Sequence, residues 1–374
     1  MNPRLLRAAC VIIAAGTLMP AAGPPFAPPA SGPSIPPTAT PGRQRGVCWV
    51  GSTNPITADQ MRLLAAQHVD WISQTPFGWQ RGLDSPQIAI ASQDRVWWGE
   101  SDRGLAATAR LARAAGIRTL LKPHLWVTAG HGAWTGEIAM TSEESWRAWF
   151  ASYREFLLHY ARLAEAEGME ALCVGTELQG TTLTHEADWR RLIAEVRSIY
   201  RGKLTYAANW NQEFDQVRFW DALDFVGIQA YFPLAQRDGP SLAELEGGWA
   251  PHLAAIERVH RATGKPIVFT EIGYKSVPEG AIRPWEWPHG RRSETEAGSD
   301  LPTQARAYEA FFRTFWERPW FAGVYFWKWY PDAASSEGRH SLDFTPQNKP
   351  AQEVMSSWFA GTPPTPVIGV PPPS

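Results

Sequence analysis

From residue 46 to residue 359 the chain alternates between short apolar, β-rich runs and longer amphipathic segments. Strand-like runs fall at 46–50, 69–77, 117–126, 171–178, 203–210, 224–232, 266–274 and 321–330. Helical patterns follow at 57–67, 102–115, 142–167, 185–200, 214–221, 248–263, 302–318 and 349–359. The segment 102–115 is built from Ala, Leu and Arg, which propagate helix, and it stops at Gly116. Thr141-Ser142-Glu143-Glu144 opens the next helix with capping chemistry. Eight strand–helix units in succession predict an α/β fold of one domain, a (β/α)8 TIM barrel with long βα loops. An open, doubly wound sheet is the alternative, but no Gly-rich phosphate turn follows the first strand.

The connections are unequal. Those after strands, at 78–100, 127–141, 275–301 and 331–348, are long, and those after helices are short, such as Gly116 and Gly264-Lys265. Long βα loops gather on the face where barrels carry their sites, so an extended cleft is expected there.

The two ends differ from this middle. Arg4 and Arg7 precede an apolar stretch from Ala8 to Leu18, and small residues at Ala21, Ala22 and Gly23 follow. Residues 1–22 read as a signal peptide, too short in its apolar part to span a bilayer, with an uncleaved anchor as the alternative. Residues 23–44 form a Pro-rich linker, residues 45–360 the barrel, and residues 361–374 a second Pro-rich tail. A secreted or periplasmic location and no lasting membrane insertion follow from this reading, and a monomer is expected. The net charge is −2 with no basic block, which excludes nucleic acid as a partner. Cys48 and Cys173 lie in different strand-like runs and are expected to be buried free thiols.

Two apolar runs end in glutamate: Ala171-Leu-Cys-Val-Gly-Thr-Glu177 on the fourth strand and Pro266-Ile-Val-Phe-Thr-Glu271 on the seventh. Strict alternation would point Cys173, Gly175 and Glu177 one way, and Ile267, Phe269 and Glu271 one way, leaving both carboxylates at the barrel mouth. A carboxylate there serves chemistry better than stability, since a structural one prefers a solvated helix face. Paired carboxylates are what glycosidic hydrolysis requires, one as proton donor and one as nucleophile or base. No His/Asp/Glu cluster has metal-ligand spacing, so no metal or other cofactor is implied.

Five strand-end phrases carry a family resemblance: Leu121-Lys-Pro-His124-Leu-Trp126, Gly175-Thr-Glu177-Leu, Ala208-Asn209-Trp210, Thr270-Glu271-Ile-Gly-Tyr274 and Phe326-Trp327-Lys-Trp329. They resemble glycoside hydrolase family 113 of the clan A retaining glycosidases, a family that contains β-1,4-mannanases. The resemblance spans about 46–360. It implies an enzyme acting on a β-linked polysaccharide, with Glu177 as acid/base, Glu271 as nucleophile, and Tyr231 as a hydrogen-bond donor to the nucleophile. Many clan members place Asn immediately before the acid/base. Thr176 stands here instead, and Asn209 is the candidate to replace that contact.

Sugar binding needs hydroxyl partners and flat apolar surfaces. His124 and Trp126 share a direction at the end of the third strand, and Lys122, one step deeper, is expected to pair with an interior carboxylate. Of the 20 tryptophans, Trp327 and Trp329 end the eighth strand. Trp79, Trp97 and Trp98 lie in the loop after the second strand, Trp134 in that after the third, and Trp285 and Trp287 in that after the seventh. These are expected to line sugar subsites. Trp146, Trp149, Trp189, Trp316 and Trp358 fall on helical patterns and are expected to pack in the core.

Overall fold

The computed structural model describes residues 42–90, 96–129, 133–287, 298–332 and 342–362. Eight parallel strands close a barrel: β1 (Gln44–Trp49), β2 (Trp71–Gln74), β5 (Arg118–Leu121), β7 (Ala171–Thr176), β8 (Lys203–Asn209), β9 (Val226–Gln229), β10 (Ile267–Ile272) and β11 (Phe321–Trp329). Their spatial order is their chain order, with β11 paired back onto β1. The expected (β/α)8 barrel is the observed fold. Closure removes the edges of this eight-stranded sheet, so each of its strands is paired on both sides.

Helices α1 (Ala58–Ala65), α2 (Asp102–Ala114), α3 (Glu143–Ala166), α5 (Glu186–Ile199), α6 (Leu242–Thr263), α7 (Leu301–Phe315) and α8 (Pro350–Phe359) form the outer ring. Ser142 caps α3 as expected, accepting the backbone N–H of Ser145. A short helix, α4 (Gln179–Thr182), follows β7 directly. None of the described helices is long and apolar enough to cross a membrane. The expected helix at 214–221 does not form. A run of turns and a 3-10 helix, Trp220–Ala222, connect β8 to β9 instead. Phe214, Phe219 and Trp220 are each buried there, but on no single helical face, and the Trp220 indole N–H is spent on the carbonyl of Phe214.

Two expected strands are each cut by proline. The run 69–77 divides at Pro76 into β2 and β3 (Phe77–Gln80), and 117–126 divides at Pro123 into β5 and β6 (His124–Val127). Proline offers no N–H to the ladder, so pairing in the barrel stops there. Beyond the break β3 and β6 pair parallel with one another, and β4 (Ile88–Ile90) adds antiparallel to β3. This three-stranded rim sheet takes β4 and most of β3 from the expected loop 78–100, and β6 mostly from the end of the expected strand 117–126.

The apolar interior is divided in two. Cys48, Trp71, Leu120, Ala171, Cys173, Ala207, Phe225, Val268 and Tyr325 fill the barrel. A larger shell between strands and helices holds the aromatic residues of α3, α5, α6, α7 and α8. Trp149, Trp189 and Trp316 are buried in that shell, and Trp146 and Trp358 pack against it. Cys48 and Cys173 are free and buried, as expected, and both face the barrel interior. Burial pushes their thiols up to about 12 and about 11.

Candidate active site

Both glutamates reach the barrel mouth, but not by strict alternation. On β7, Cys173 lies in the barrel interior, whereas a Cβ on Gly175 would fall within 2.9 Å of Trp189, Tyr153 and Tyr206 in the outer shell. On β10, Ile267 and Phe269 face the helices and Val268 faces the interior. The register shifts at the end of each strand, between Cys173 and Thr176 and between Phe269 and Glu271. One extra residue in a strand re-aims the side chains that follow, which is how Glu271 turns inward. Glu177 adds a left-handed backbone, with φ of 51°. This conformation is costly for a residue with a Cβ and is held here by neighbouring contacts.

Glu271 is 4% exposed and held by two donors. The Lys122 ammonium bonds Oε1, and the Tyr231 hydroxyl donates to Oε2 at 2.7 Å. Lys122 is fully buried and also donates to the carbonyl of Thr270. Burial works to lower its pKa, but the Glu271 carboxylate outweighs that and keeps it above the ordinary value. Lys122 is thus an ammonium whose partner is the expected interior carboxylate. The two donors fix the carboxylate plane and neutralise its charge. Burial, then the nearby carboxylate, raise the Tyr231 hydroxyl well above its usual range, so it stays a donor. His124 Nε2 lies 3.8 Å from Glu271 Oε1 and has no hydrogen-bond partner among the described residues. Burial and the Lys122 charge push its pKa well down, leaving a neutral ring.

Glu177 is in the opposite condition. Its Oε1 accepts the Asn209 amide N–H at 2.7 Å, and no cation pairs with it among the described residues. Burial first, then the charges of Glu271 and Glu213, raise its pKa to about 8, against the lowering effect of Asn209 and Lys122. One carboxyl is therefore built to be neutral near pH 7, and the other is clamped between donors in the same cleft.

The cleft, counted together with the open space at its mouth, takes in about 710 Å³. His124, Trp126, Thr176, Glu177, Gln229, Tyr231 and Glu271 line it, with Trp134, Trp285, Trp287, Trp327 and Phe344 as aromatic walls. Trp285 stacks on Trp210 with centroids 5.1 Å apart, and Lys328 lies 4.4 Å over the Trp287 ring. The Trp327–Lys328 peptide is cis. Other expected residues sit elsewhere. Trp79 is on β3 beside Trp126, centroids 6.5 Å apart, and extends the aromatic surface along the rim sheet. Trp98 starts a 3-10 helix and packs on the shell, and Trp329 is buried in it. Asn209 is held at both ends, since Oδ1 accepts the Asn211 N–H while one amide N–H serves Glu177. Glu213, Gln229, Thr135 and Phe344 were not singled out by the sequence. A glutamate in a polar stretch such as Asn211-Gln-Glu213 reads as solvated, and only the folded loop shows it buried.

A closed parallel barrel whose mouth holds two buried carboxyls in an aromatic-walled cleft defines a glycoside hydrolase. The family is settled by comparison: the model of Glycoside Hydrolase Family 113 matches residues 51–349, and the chain belongs to that family. A family 113 β-mannanase structure from Alicyclobacillus acidocaldarius is 31% identical, with a TM-score of 0.72 over 86% of this chain and 98% of that one. A family 113 β-1,4-mannanase complex is 26% identical, with a TM-score of 0.72 over 85% and 99%. A family 5 mannosidase from Rhizomucor miehei, at 10% identity and a TM-score of 0.59 over 86% and 94%, shares the fold. No curated protein matches the chain.

Proposed function

We propose that the protein is a retaining endo-β-1,4-mannanase in which Glu177 is the acid/base and Glu271 the nucleophile. The observation that carries this reading is the unequal environment of the two carboxyls. Glu177 is raised to about 8 and holds a proton for the leaving oxygen, while Glu271 has each oxygen bonded to a donor. In the first step Glu271 attacks the anomeric carbon as the glycosidic C–O bond breaks, and the Glu177 proton passes to the departing oxygen. In the second, Glu177 takes a proton from water, the water oxygen bonds to the anomeric carbon, and Glu271 leaves. Lys122 and Tyr231 orient the attacking oxygens and spread the charge that returns to them.

Mannan as the substrate is supported by the two family relatives named for that activity. His124 Nε2, buried without a hydrogen-bond partner among the described residues, is left to bond a sugar hydroxyl. Trp126, Trp134, Trp285, Trp287 and Trp327 offer planes for the C–H faces of successive sugars. Asn209 positions the acid with one amide N–H and keeps the other for a sugar hydroxyl. The signal peptide at 1–22, the linker at 23–44 and the tail at 361–374 lie largely or wholly outside the described residues, and export remains part of this proposal. The test is release of reducing ends from mannan, glucomannan, xylan and mixed-linkage glucan, with sizing of the products. Mannan and glucomannan should give short oligosaccharides. Release from xylan or mixed-linkage glucan alone would overturn the substrate.

A further inference from the structure

Glu213 lies in the turn after β8, outside the cleft, and is fully buried. Its Oε2 accepts the backbone N–H of Asn209 at 2.6 Å. Its Oε1 accepts the hydroxyls of Tyr206 at 2.6 Å and Thr182 at 2.8 Å. No cation bonds it among the described residues. A buried carboxylate without a counter-ion is costly and persists where surrounding donors and a task retain it. Two of its three bonds lead to the acid/base. Asn209 donates to the Glu177 carboxyl, and the Tyr206 hydroxyl accepts, at 2.6 Å, the N–H of Leu178, the residue after Glu177. The left-handed backbone of Glu177 is thereby tied on its C-terminal side, and its carboxyl on its outer side, to one anchor.

We propose that Glu213 is a positioning residue that holds Glu177 in its turn and keeps its proton on by charge, an inference that rests on Glu177 being the acid/base. The groups that bear on the pair are Tyr206 from β8, the polar Thr182 from α4, and, across the cleft, Glu271 of β10 and Lys122 beyond β5. Of these, Glu271 and Glu213 repel a negative Glu177, and Lys122 alone attracts it. Burial pushes the Glu213 carboxyl itself up to about 7, against its three donors, so it is ionised over the alkaline range where Glu177 must keep its proton. Removing the Glu213 charge makes Glu177 a stronger acid. Removing the Tyr206 link loosens its aim and also takes a donor from Glu213, which raises that carboxyl further and thins its charge.

The experiment is the pH dependence of kcat/KM for wild type, Glu213→Gln and Glu213→Asp on two aryl β-mannosides, one with a leaving group that needs protonation and one that does not. In Glu213→Gln the alkaline limb on the demanding substrate should fall by roughly one pH unit. Glu213→Asp, which keeps the charge, should restore most of that shift. Tyr206→Phe should lower the rate roughly tenfold on the demanding substrate, with little loss on the activated one, and should move the limb no further than Glu213→Gln does. A folded, active Glu213→Gln with the wild-type limb overturns the electrostatic half. Equal losses on both substrates in Tyr206→Phe overturn the positioning half, and that variant decides alone if Glu213→Gln does not fold. Wild type inactive on every glycoside would instead sink the assignment of Glu177.

Discussion

Glu177→Gln should make the protein more stable, by an amount that grows as pH rises from about 4.5 to about 8. In the folded chain the Glu177 carboxyl titrates at about 8, against an ordinary value of 4.5. Between these values the folded state keeps a proton that the unfolded state has released. Stability of the wild type therefore falls as pH rises through that window. By linkage the group costs the native state about 3 kcal/mol at pH 7 and essentially nothing at pH 4. Glutamine has the same shape, does not titrate, and can still accept the Asn209 amide through its carbonyl. At about 2 °C per kcal/mol for a chain of this size, Tm of the variant should exceed wild type by about 6 °C at pH 7. Thermal unfolding of both proteins from pH 4 to pH 8, at one scan rate, measures this. A Tm difference that stays constant with pH, or a variant that is less stable at pH 7, would refute the burial argument. The stabilised variant should at the same time lose activity on natural substrate, a trade of stability for function at one residue.

In the wild type the same carboxyl sets the alkaline limb. kcat/KM on mannan should hold toward pH 8 and then fall about tenfold per pH unit as Glu177 loses its proton, and a limb below pH 6 would contradict its assigned environment. Lys122→Met leaves Glu271 buried without its cation, so it should cost about 3–5 kcal/mol in denaturant unfolding and abolish hydrolysis, whereas unchanged stability would mean that the pair carries little. Gly175→Ala forces a methyl within 2.9 Å of three aromatic side chains and should destabilise by about 1–3 kcal/mol, read by the shift of the urea midpoint; a neutral effect would show that the β7 bulge relaxes freely.

The barrel was legible because each strand buries both faces and each helix buries one, so period and length separate them along the chain. The unformed helix at 214–221 shows the limit of that signal. Its apolar residues occur at a helical density but are buried one by one in turns, where the backbone N–H of Phe214 donates to the Asn209 carbonyl and those of Gln216 and Val217 to the Glu213 carbonyl. Proline breaks at Pro76 and Pro123 were visible as residues, yet the pairing of β3 with β6 beyond them depends on two distant segments meeting. The carboxylates were found at strand ends, but for a reason that alternation does not supply. A bulge is a local register change set by the neighbouring strand, and it reverses which side of the strand faces the interior. Lys122 was expected to find an interior carboxylate, and only the fold identifies it as Glu271. Glu213 had no signal because burial of a loop glutamate depends on donors from β8 and α4 that lie apart in sequence.

The division of labour between the two glutamates is tested most directly by azide rescue on an activated aryl β-mannobioside. Glu177→Ala should form its glycosyl-enzyme without needing a proton donor and then stall, and azide should restore turnover and give a product of retained β configuration. Glu271→Ala should give at most an α-azide, formed by direct attack from the opposite face. A β-azide from Glu271→Ala, or full activity in either variant without azide, would contradict the assignment of Glu177 as acid/base and Glu271 as nucleophile.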